Sequence, residues 1–149
     1  DDEKMVRKAV ADFLRRIGYT VETHAEAVSA LESFSRNPER FDLILLDIIM
    51  PKLNGREALL RFRELRRDIP FIVVSGYSDE TIVKEMLAEG IFAFVQKPFS
   101  SSYLSRVIAD CLREHRGERT KLELLATTYL SEFSGHIITQ ANNLCLLVA

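Results

Sequence analysis

The residue best placed for chemistry in this sequence is Asp47, within residues 41–55, FDLILLDIIMPKLNG. The continuous apolar run just before it is typical of a buried strand, and the Pro, Asn and Gly that follow indicate a loop. Asp47 is therefore predicted to lie at the carboxyl end of a strand. In an open α/β sheet ligands bind at that edge, because the loops there form a crevice. Asp47 is a candidate reactive carboxylate.

Three further motifs carry polar groups beside apolar runs. Asp1 and Asp2 open the chain, Ser75 closes the apolar run 71–74, and Lys97 follows another run and precedes Pro98. Together these carboxylates, hydroxyl and ammonium are the groups that phosphoryl transfer uses, since it needs an in-line nucleophile and positive charge near the phosphoryl oxygens. Taken singly they are less informative, because acidic residues also cap helices, and serine and lysine are common in turns and on surfaces.

The combination resembles the receiver domain of two-component response regulators, the CheY-like domain, whose hallmark is an acidic pair, a phosphoacceptor Asp, a Ser or Thr, and a Lys. This resemblance implies that Asp47 accepts the phosphoryl group and that Ser75 and Lys97 contact that group. It also implies that Lys97 pairs with Asp47 when the site is empty and that the Lys97–Pro98 bond is cis. Phe94 stands where receivers keep an aromatic switch residue, here without the hydroxyl of a tyrosine.

The same resemblance implies a Mg²⁺ cofactor. Asp2 and Asp47 would bind the ion directly, Asp1 through water, and Ile49 through its backbone carbonyl. Mg²⁺ suits this set because it prefers oxygen ligands and retains several waters. Without a cation, carboxylates crowded into one pocket would raise each other's proton affinity.

Helical and strand periodicities alternate along the chain, which predicts a parallel sheet with helices on both faces. The apolar residues at helical spacing include Met5, Val6, Ile17, Val28, Leu65 and Leu87. The resemblance implies a doubly wound five-stranded sheet of the flavodoxin/CheY-like order 2-1-3-4-5. Asp1, Asp2 and Glu3 look like the tail of a strand, but no apolar strand precedes them. Residues 144–149, LCLLVA, form a short run typical of a buried strand. Joined head to tail the ends give LCLLVADDEKMV, so we expect a circularly permuted receiver whose first strand lies at the C-terminus.

This interpretation divides the chain into a receiver domain lacking its first strand (1–116), a helical connector (117–143) and the first strand (144–149). In the connector an apolar stripe falls on one helical face, formed by Leu122, Leu125, Tyr129 and Phe133. The stripe is compatible with a homodimer contact or with packing on its own domain. The terminal strand could also insert into a neighbouring chain and give a swapped dimer.

We expect a phosphoacceptor signalling domain, and not an enzyme beyond slow self-catalysed phosphotransfer and dephosphorylation. By resemblance the donor is a sensor histidine kinase, and the response passes to a downstream protein or to another domain of a parent protein. The alternative is a receiver-fold scaffold or dimerisation module that is not phosphorylated. A phosphatase of the haloacid dehalogenase type is disfavoured, because it needs a second Asp where this chain has Ile49.

Composition narrows the remaining classes. The chain has 149 residues, a net charge of -2, 47% hydrophobic and 28% charged residues. These values predict one globular domain without the basic face that nucleic-acid binding requires. The apolar runs are too short to span a membrane. Cys111 and Cys145 lie in apolar patterns, which favours two core thiols in a reducing cytoplasm.

Overall fold

A computed structural model describes residues 2–49, 52–76, 80–126 and 145–148, with side chains through Gly117 apart from that of Asp2. The helices in chain order are α1 (Asp2–Arg16), α2 (Ala27–Arg36), a short 3₁₀ helix (Pro38–Arg40), α3 (Gly55–Leu65), α4 (Glu80–Ala88) and α5 (Ser101–Ala126). The strands are β1 (Thr20–Thr23), β2 (Leu43–Asp47), β3 (Phe71–Ser75), β4 (Ala93–Gln96) and β5 (Cys145–Val148).

The strands pair in parallel in the order β1-β5-β2-β3-β4. Asp47 is opposite Val74, and Ser75 is opposite Gln96. Because parallel strands end at one edge, the last residues of β2, β3 and β4 face the same crevice. The predicted α/β fold class, a parallel sheet covered by helices, is confirmed.

Side-chain alternation along β2 explains its uninterrupted apolar sequence. Leu43 and Leu45 belong to one buried cluster, whereas Ile44 and Leu46 belong to another on the opposite face of the sheet. The first cluster is completed by residues of α1 and α5, and the second by residues of α2, α3 and α4. A strand covered on both faces loses its polar positions, so its sequence does not alternate.

Four phenylalanines pack in the cluster beneath α2 and α3. The Phe34 ring centroid lies 5.4 Å from that of Phe41 and 5.2 Å from that of Phe62 in an edge-on arrangement, and Phe62 lies 6.0 Å from Phe71. All four are completely buried. This packing joins α2, α3 and the starts of β2 and β3 into one rigid unit, which fixes where β2 delivers Asp47.

Several residues assigned to helical stripes from the sequence are exposed. Met5 is 70% exposed on α1, and Val6, Ile17, Val28, Leu65 and Leu87 are exposed as well. α1 begins at Asp2, so Asp2 belongs to a helix and not to the tail of a strand. Its covered face is narrow, with Ala11 and Leu14 buried. A helix on the surface of a sheet needs only one apolar strip, so apolar spacing overestimates burial.

α5 is continuous from Ser101 to Ala126 and passes the predicted domain boundary at residue 116 without a break. The remaining connector residues, and the full extent of the predicted apolar stripe, lie outside the described residues, so the domain division stays a prediction. Within the described ranges no helix combines the length and hydropathy needed to cross a bilayer.

Candidate functional site

Asp47 is the last residue of β2, and two other segments hold its carboxylate. Its Oδ2 accepts a hydrogen bond of 2.6 Å from Nζ of Lys97, and its Oδ1 accepts one of 3.0 Å from the backbone N–H of Ile49. The Asp47 side chain retains 17% of its exposure, so the group is reachable from solvent. Each oxygen has lone pairs beyond those two bonds, and the carboxylate can accept another ligand.

Lys97 follows β4 directly, and its backbone is tied to the neighbouring strand end. Its N–H donates a 2.9 Å hydrogen bond to the carbonyl oxygen of Ser75, and the bond to Pro98 is cis. The Lys97 side chain is 26% exposed. The contact between Lys97 and Asp47 that the resemblance implied is present, and the cis bond is present as well.

Ser75 ends β3 and is fully buried. One residue earlier, the carbonyl oxygen of Val74 accepts a 3.3 Å hydrogen bond from the N–H of Ile48. These backbone bonds align the ends of β2, β3 and β4, so Asp47, Ser75 and Lys97 belong to one edge of the sheet. Their chemical roles stay predictions.

Phe94 lies on β4 opposite Val73 and is partly buried against the cluster that contains Phe71 and Met86. Phe94 is therefore neither fully enclosed by the core nor fully exposed. The position is compatible with a switch, and the role stays a prediction.

The proposed metal ligands are only partly visible. Asp1 and the side chain of Asp2 lie outside the described residues, and α1 begins at Asp2. The backbone of Ile49 is held by its bond to Asp47, and its side chain is 53% exposed. Among described side chains no group of three His, Cys, Asp or Glu could hold a metal ion. The carboxylate of Asp47 is an oxygen donor with open lone pairs, which fits Mg²⁺.

A close backbone contact at Gly55 was not predicted from the sequence. Gly55 donates its N–H to the carbonyl oxygen of Ile48 at 3.3 Å, so the loop after Asp47 returns to its own start. Asn54 caps α3, its Oδ1 accepting a 2.8 Å hydrogen bond from the N–H of Glu57. The Asn-Gly step before an apolar helical stretch is a recognisable cap signal that could have located this turn.

The same loop is tied to a second loop by an ion pair. Lys52 adopts a left-handed backbone conformation, with φ of 72°, and its Nζ lies 3.0 and 3.1 Å from the carboxylate oxygens of Glu26. Glu26 precedes α2 as its N-cap residue. Since the Lys52 side chain is 68% exposed, this pair contributes little energy and mainly restricts the loop.

A polar network at the carboxyl end of β1 was also missed by sequence reasoning. Glu22 accepts hydrogen bonds from Ser33 and Arg40 and lies 2.8 Å from Nε2 of His24, whose Nδ1 lies 3.1 Å from Oγ of Ser29. Burial alone would raise the pKa of Glu22, but the hydrogen bonds and the charge of Arg40 outweigh it and lower that pKa. The network joins β1 to α2 and the 3₁₀ helix.

Arg66 is a buried cation at the opposite edge of the sheet, with a side chain only 3% exposed. Its Nη1 donates to the carbonyl oxygens of Phe41, at 2.6 Å, and Pro38, at 3.2 Å, and its Nε donates to Asp68 at 2.8 Å. The hydrogen bond from Arg66 lowers the pKa of Asp68. Far from Asp47, this residue fixes the segment that leads into β2.

These features define an α/β protein with a lysine-paired aspartate at the carboxyl edge of a parallel sheet. The family model of the response regulator receiver domain matches residues 1–109. The chain therefore belongs to the response regulator receiver domain family.

Relatives and solved structures agree with this assignment. The chain is 33% identical over 114 residues to the sensor kinase CckA of Brucella abortus (strain 2308), covering 76% of this chain and 12% of that protein. The receiver domain protein of Methanospirillum hungatei JF-1 is 31% identical with a TM-score of 0.72, covering 79% of this chain and 93% of that one.

A third match is the receiver domain of the sensor histidine kinase PA1611 from Pseudomonas aeruginosa PAO1, solved with a magnesium ion coordinated in its active-site cleft. It is 26% identical with a TM-score of 0.65, covering 73% of this chain and 89% of that one. The matched region makes up between 12% and 52% of the lengths of the first four curated relatives.

Proposed function

We propose that this chain is a phosphoacceptor signalling domain in which Asp47 takes a phosphoryl group from a phosphohistidine of a histidine kinase. The observation that carries the proposal is the 2.6 Å contact between Lys97 and Asp47 at the carboxyl edge of the sheet. It supplies a partly exposed carboxylate with a cation beside the place where an added phosphoryl group would lie. Family membership supports the same role, since receiver domains interact with histidine kinase phosphodonors.

In the proposed transfer a carboxylate oxygen of Asp47 attacks phosphorus in line with the phosphorus–nitrogen bond of the donor. The new oxygen–phosphorus bond gives an acyl phosphate, and the broken bond leaves its electron pair on the histidine nitrogen, which takes up a proton. Lys97 moves its ammonium from the carboxylate to a phosphoryl oxygen, where a charge-assisted hydrogen bond forms. The hydroxyl of Ser75 donates to another phosphoryl oxygen.

A bound Mg²⁺ would add positive charge that neutralises the phosphoryl oxygens. In this chain Asp47, the carbonyl of Ile49, and Asp1 and Asp2 would hold it. The oxygen chemistry of Asp47 and the magnesium ion in the PA1611 receiver domain support this assignment. The chain has no further predicted catalytic activity, so turnover would be limited to slow self-catalysed transfer and loss of the phosphoryl group.

We also propose the permuted order for this domain. The pairing of β5 between β1 and β2, with Val148 opposite both Thr23 and Leu45, supports it. In that register the end of β5 points to the same edge as Asp47. β5 could insert into the sheet of its own chain or into that of a second chain. Light scattering distinguishes the two arrangements, because the second would give a dimer.

For the downstream response we propose a class of partner and not a particular protein. Phe94 would turn inward as Ser75 engages the phosphoryl group, changing the surface of α4, β4 and α5 for a downstream protein or a domain of a parent protein. The expected cytoplasmic location and the absence of nucleic-acid contact stay predictions. The alternative is a scaffold or dimerisation module that is not phosphorylated. The length of α5, 26 residues, supports this alternative, because a long helix offers surface for a second copy.

One experiment separates the two functions. The purified chain is incubated with Mg²⁺ and acetyl phosphate, and its intact mass is measured. The proposal expects a gain of one phosphoryl group that disappears in Asp47→Asn and persists in Asp110→Asn, a half-buried aspartate on α5. No gain in the wild-type chain would support the scaffold.

A further inference from the structure

The start of α3 lies against the backbone that follows Asp47, and Gly55 is the residue at the contact. A Cβ atom on residue 55 would lie 2.8 Å from Cα of Ile48 and 3.4 Å from the carbonyl oxygens of Asp47 and Ile48. Gly55 itself is buried. The Cβ position is therefore already occupied by main-chain atoms, which cannot rotate away as a flexible side chain would.

The atoms in contact with Gly55 adjoin the atoms proposed to bind the cation. Ile48 stands between Asp47, whose carboxylate is one ligand, and Ile49, whose carbonyl is another. Its N–H bonds to Val74 of β3 at 3.3 Å, and its carbonyl accepts the N–H of Gly55. Ile48 is thus held on one side by the sheet and on the other by α3.

We propose that Gly55 is a positioning residue for the cation site: its missing side chain lets α3 set the backbone of Ile48, and hence the spacing of the Asp47 and Ile49 oxygens. This inference rests on the proposed function. Restoring an ordinary contact distance requires Ile48 to move by several tenths of an ångström. Because both candidate ligands adjoin Ile48, the displacement reaches them.

The choice of ion gives a readout that loss of stability would not move. Mg²⁺ demands near-ideal octahedral geometry at about 2.0–2.1 Å, whereas Ca²⁺ accepts irregular shells at about 2.3–2.6 Å. A shifted Ile48 should therefore weaken Mg²⁺ more than Ca²⁺. Simple destabilisation would weaken both ions alike.

The test compares wild type, Gly55→Ala and Gly117→Ala by amide NMR titrations with Mg²⁺ and with Ca²⁺. Gly117 is the matched control, because a Cβ there meets nothing within 4 Å. We expect Gly55→Ala to lose roughly tenfold or more in Mg²⁺ affinity, as is typical when a residue that supports a metal ligand is mutated. The loss in Ca²⁺ affinity should be smaller. Gly117→Ala should match wild type.

An unchanged ratio of Mg²⁺ to Ca²⁺ affinity in folded Gly55→Ala would overturn the positioning role while leaving the phosphoacceptor proposal intact. Failure of wild type to bind Mg²⁺ would overturn both. If Gly55→Ala does not fold, the wild-type titration decides: the Gly55 amide should shift together with those of Ile48 and Ile49, while the Gly117 amide stays constant. A silent Gly55 amide would contradict the inference.

Discussion

Nζ of Lys97 lies 2.6 Å from Oδ2 of Asp47, although 50 residues separate them along the chain. β3 lies between the two strands that deliver them, so the Lys97 side chain must cross the end of that strand. The backbone hydrogen bond from Lys97 to Ser75 holds the main chain of Lys97 beside the end of β3. The geometry places an extended, partly exposed cation over the carboxylate.

Replacing Lys97 with glutamine should slow phosphorylation of Asp47 by acetyl phosphate by roughly ten- to a hundredfold. The reason is loss of a hydrogen bond to a charged group, worth about 1.5–3 kcal/mol. Initial rates by intact-mass spectrometry give the comparison. Lys84→Gln is the control, since Lys84 is 79% exposed on α4 and should react like wild type. Equal rates for Lys97→Gln and wild type would remove Lys97 from the proposed site.

Arg63 on α3 is expected to hold the end of α4. Its guanidinium donates to the carbonyl oxygens of Glu89 and, at 3.0 Å, Gly90, and it lies over the ring of Phe71. Arg63→Met should lower the free energy of unfolding by about 1–3 kcal/mol, because two carbonyls lose their donor. Urea unfolding provides the measurement.

The control for that variant is Arg61→Met on the same helix, where the arginine pairs with Glu57 on the surface. Exposed pairs of this spacing contribute about 0.3–0.5 kcal/mol. A loss in Arg63→Met no larger than that in Arg61→Met would show that the end of α4 is held by other contacts.

Asp68 should contribute stability that depends on pH. Because the hydrogen bond from Arg66 lowers the pKa of Asp68, its contribution is present above the unfolded pKa, about 3.9, and is lost as pH falls through the lower folded value. Asp68→Asn should be less stable than wild type at neutral pH by about 1 kcal/mol or less, since the side chain is 57% exposed.

Urea midpoints from pH 7 to 2 check this expectation, and the curves of Asp68→Asn and wild type should converge at the acid end. Asp110→Asn serves as the reference for an aspartate in a surface ion pair along a helix. A gap between Asp68→Asn and wild type that stays constant over the whole range would mean that the Asp68 charge is not responsible.

The thiol of Cys111 should be inert in the native protein. Burial raises its pKa to about 12, and its side chain is 1% exposed. At pH 8 only about one thiol in ten thousand would be ionised, and the thiolate is the reactive form. In a Cys145→Ser background, reaction with a disulfide reagent should be absent without denaturant and complete in urea. Rapid native labelling would contradict the buried position.

The sequence by itself determined the fold class and located three polar residues at strand ends. Asp47, Ser75 and Lys97 each stand at the end of an apolar run, and local patterns of this kind are enough to place a residue at a strand end. The expected core role of Cys111 follows from the same periodicity and is confirmed by its burial. The carboxyl ends of parallel strands lie at one edge of the sheet, so residues at those ends come together without further information from the sequence.

Only the tertiary structure decided which groups touch across the fold. Three contacts join segments that no periodic pattern in the sequence relates to each other. They are the contact of Gly55 with Ile48, the hydrogen bonds from Arg66 to Phe41 and Pro38, and the hydrogen bonds to Glu22. The exposure of Met5 and Leu87 is of the same kind, because a helix reveals its apolar residues locally but its covered face depends on what packs against it. The local sequence determines which reactive residue types stand at strand ends. The distances between residues far apart in the chain are set only when the sheet and its helices pack.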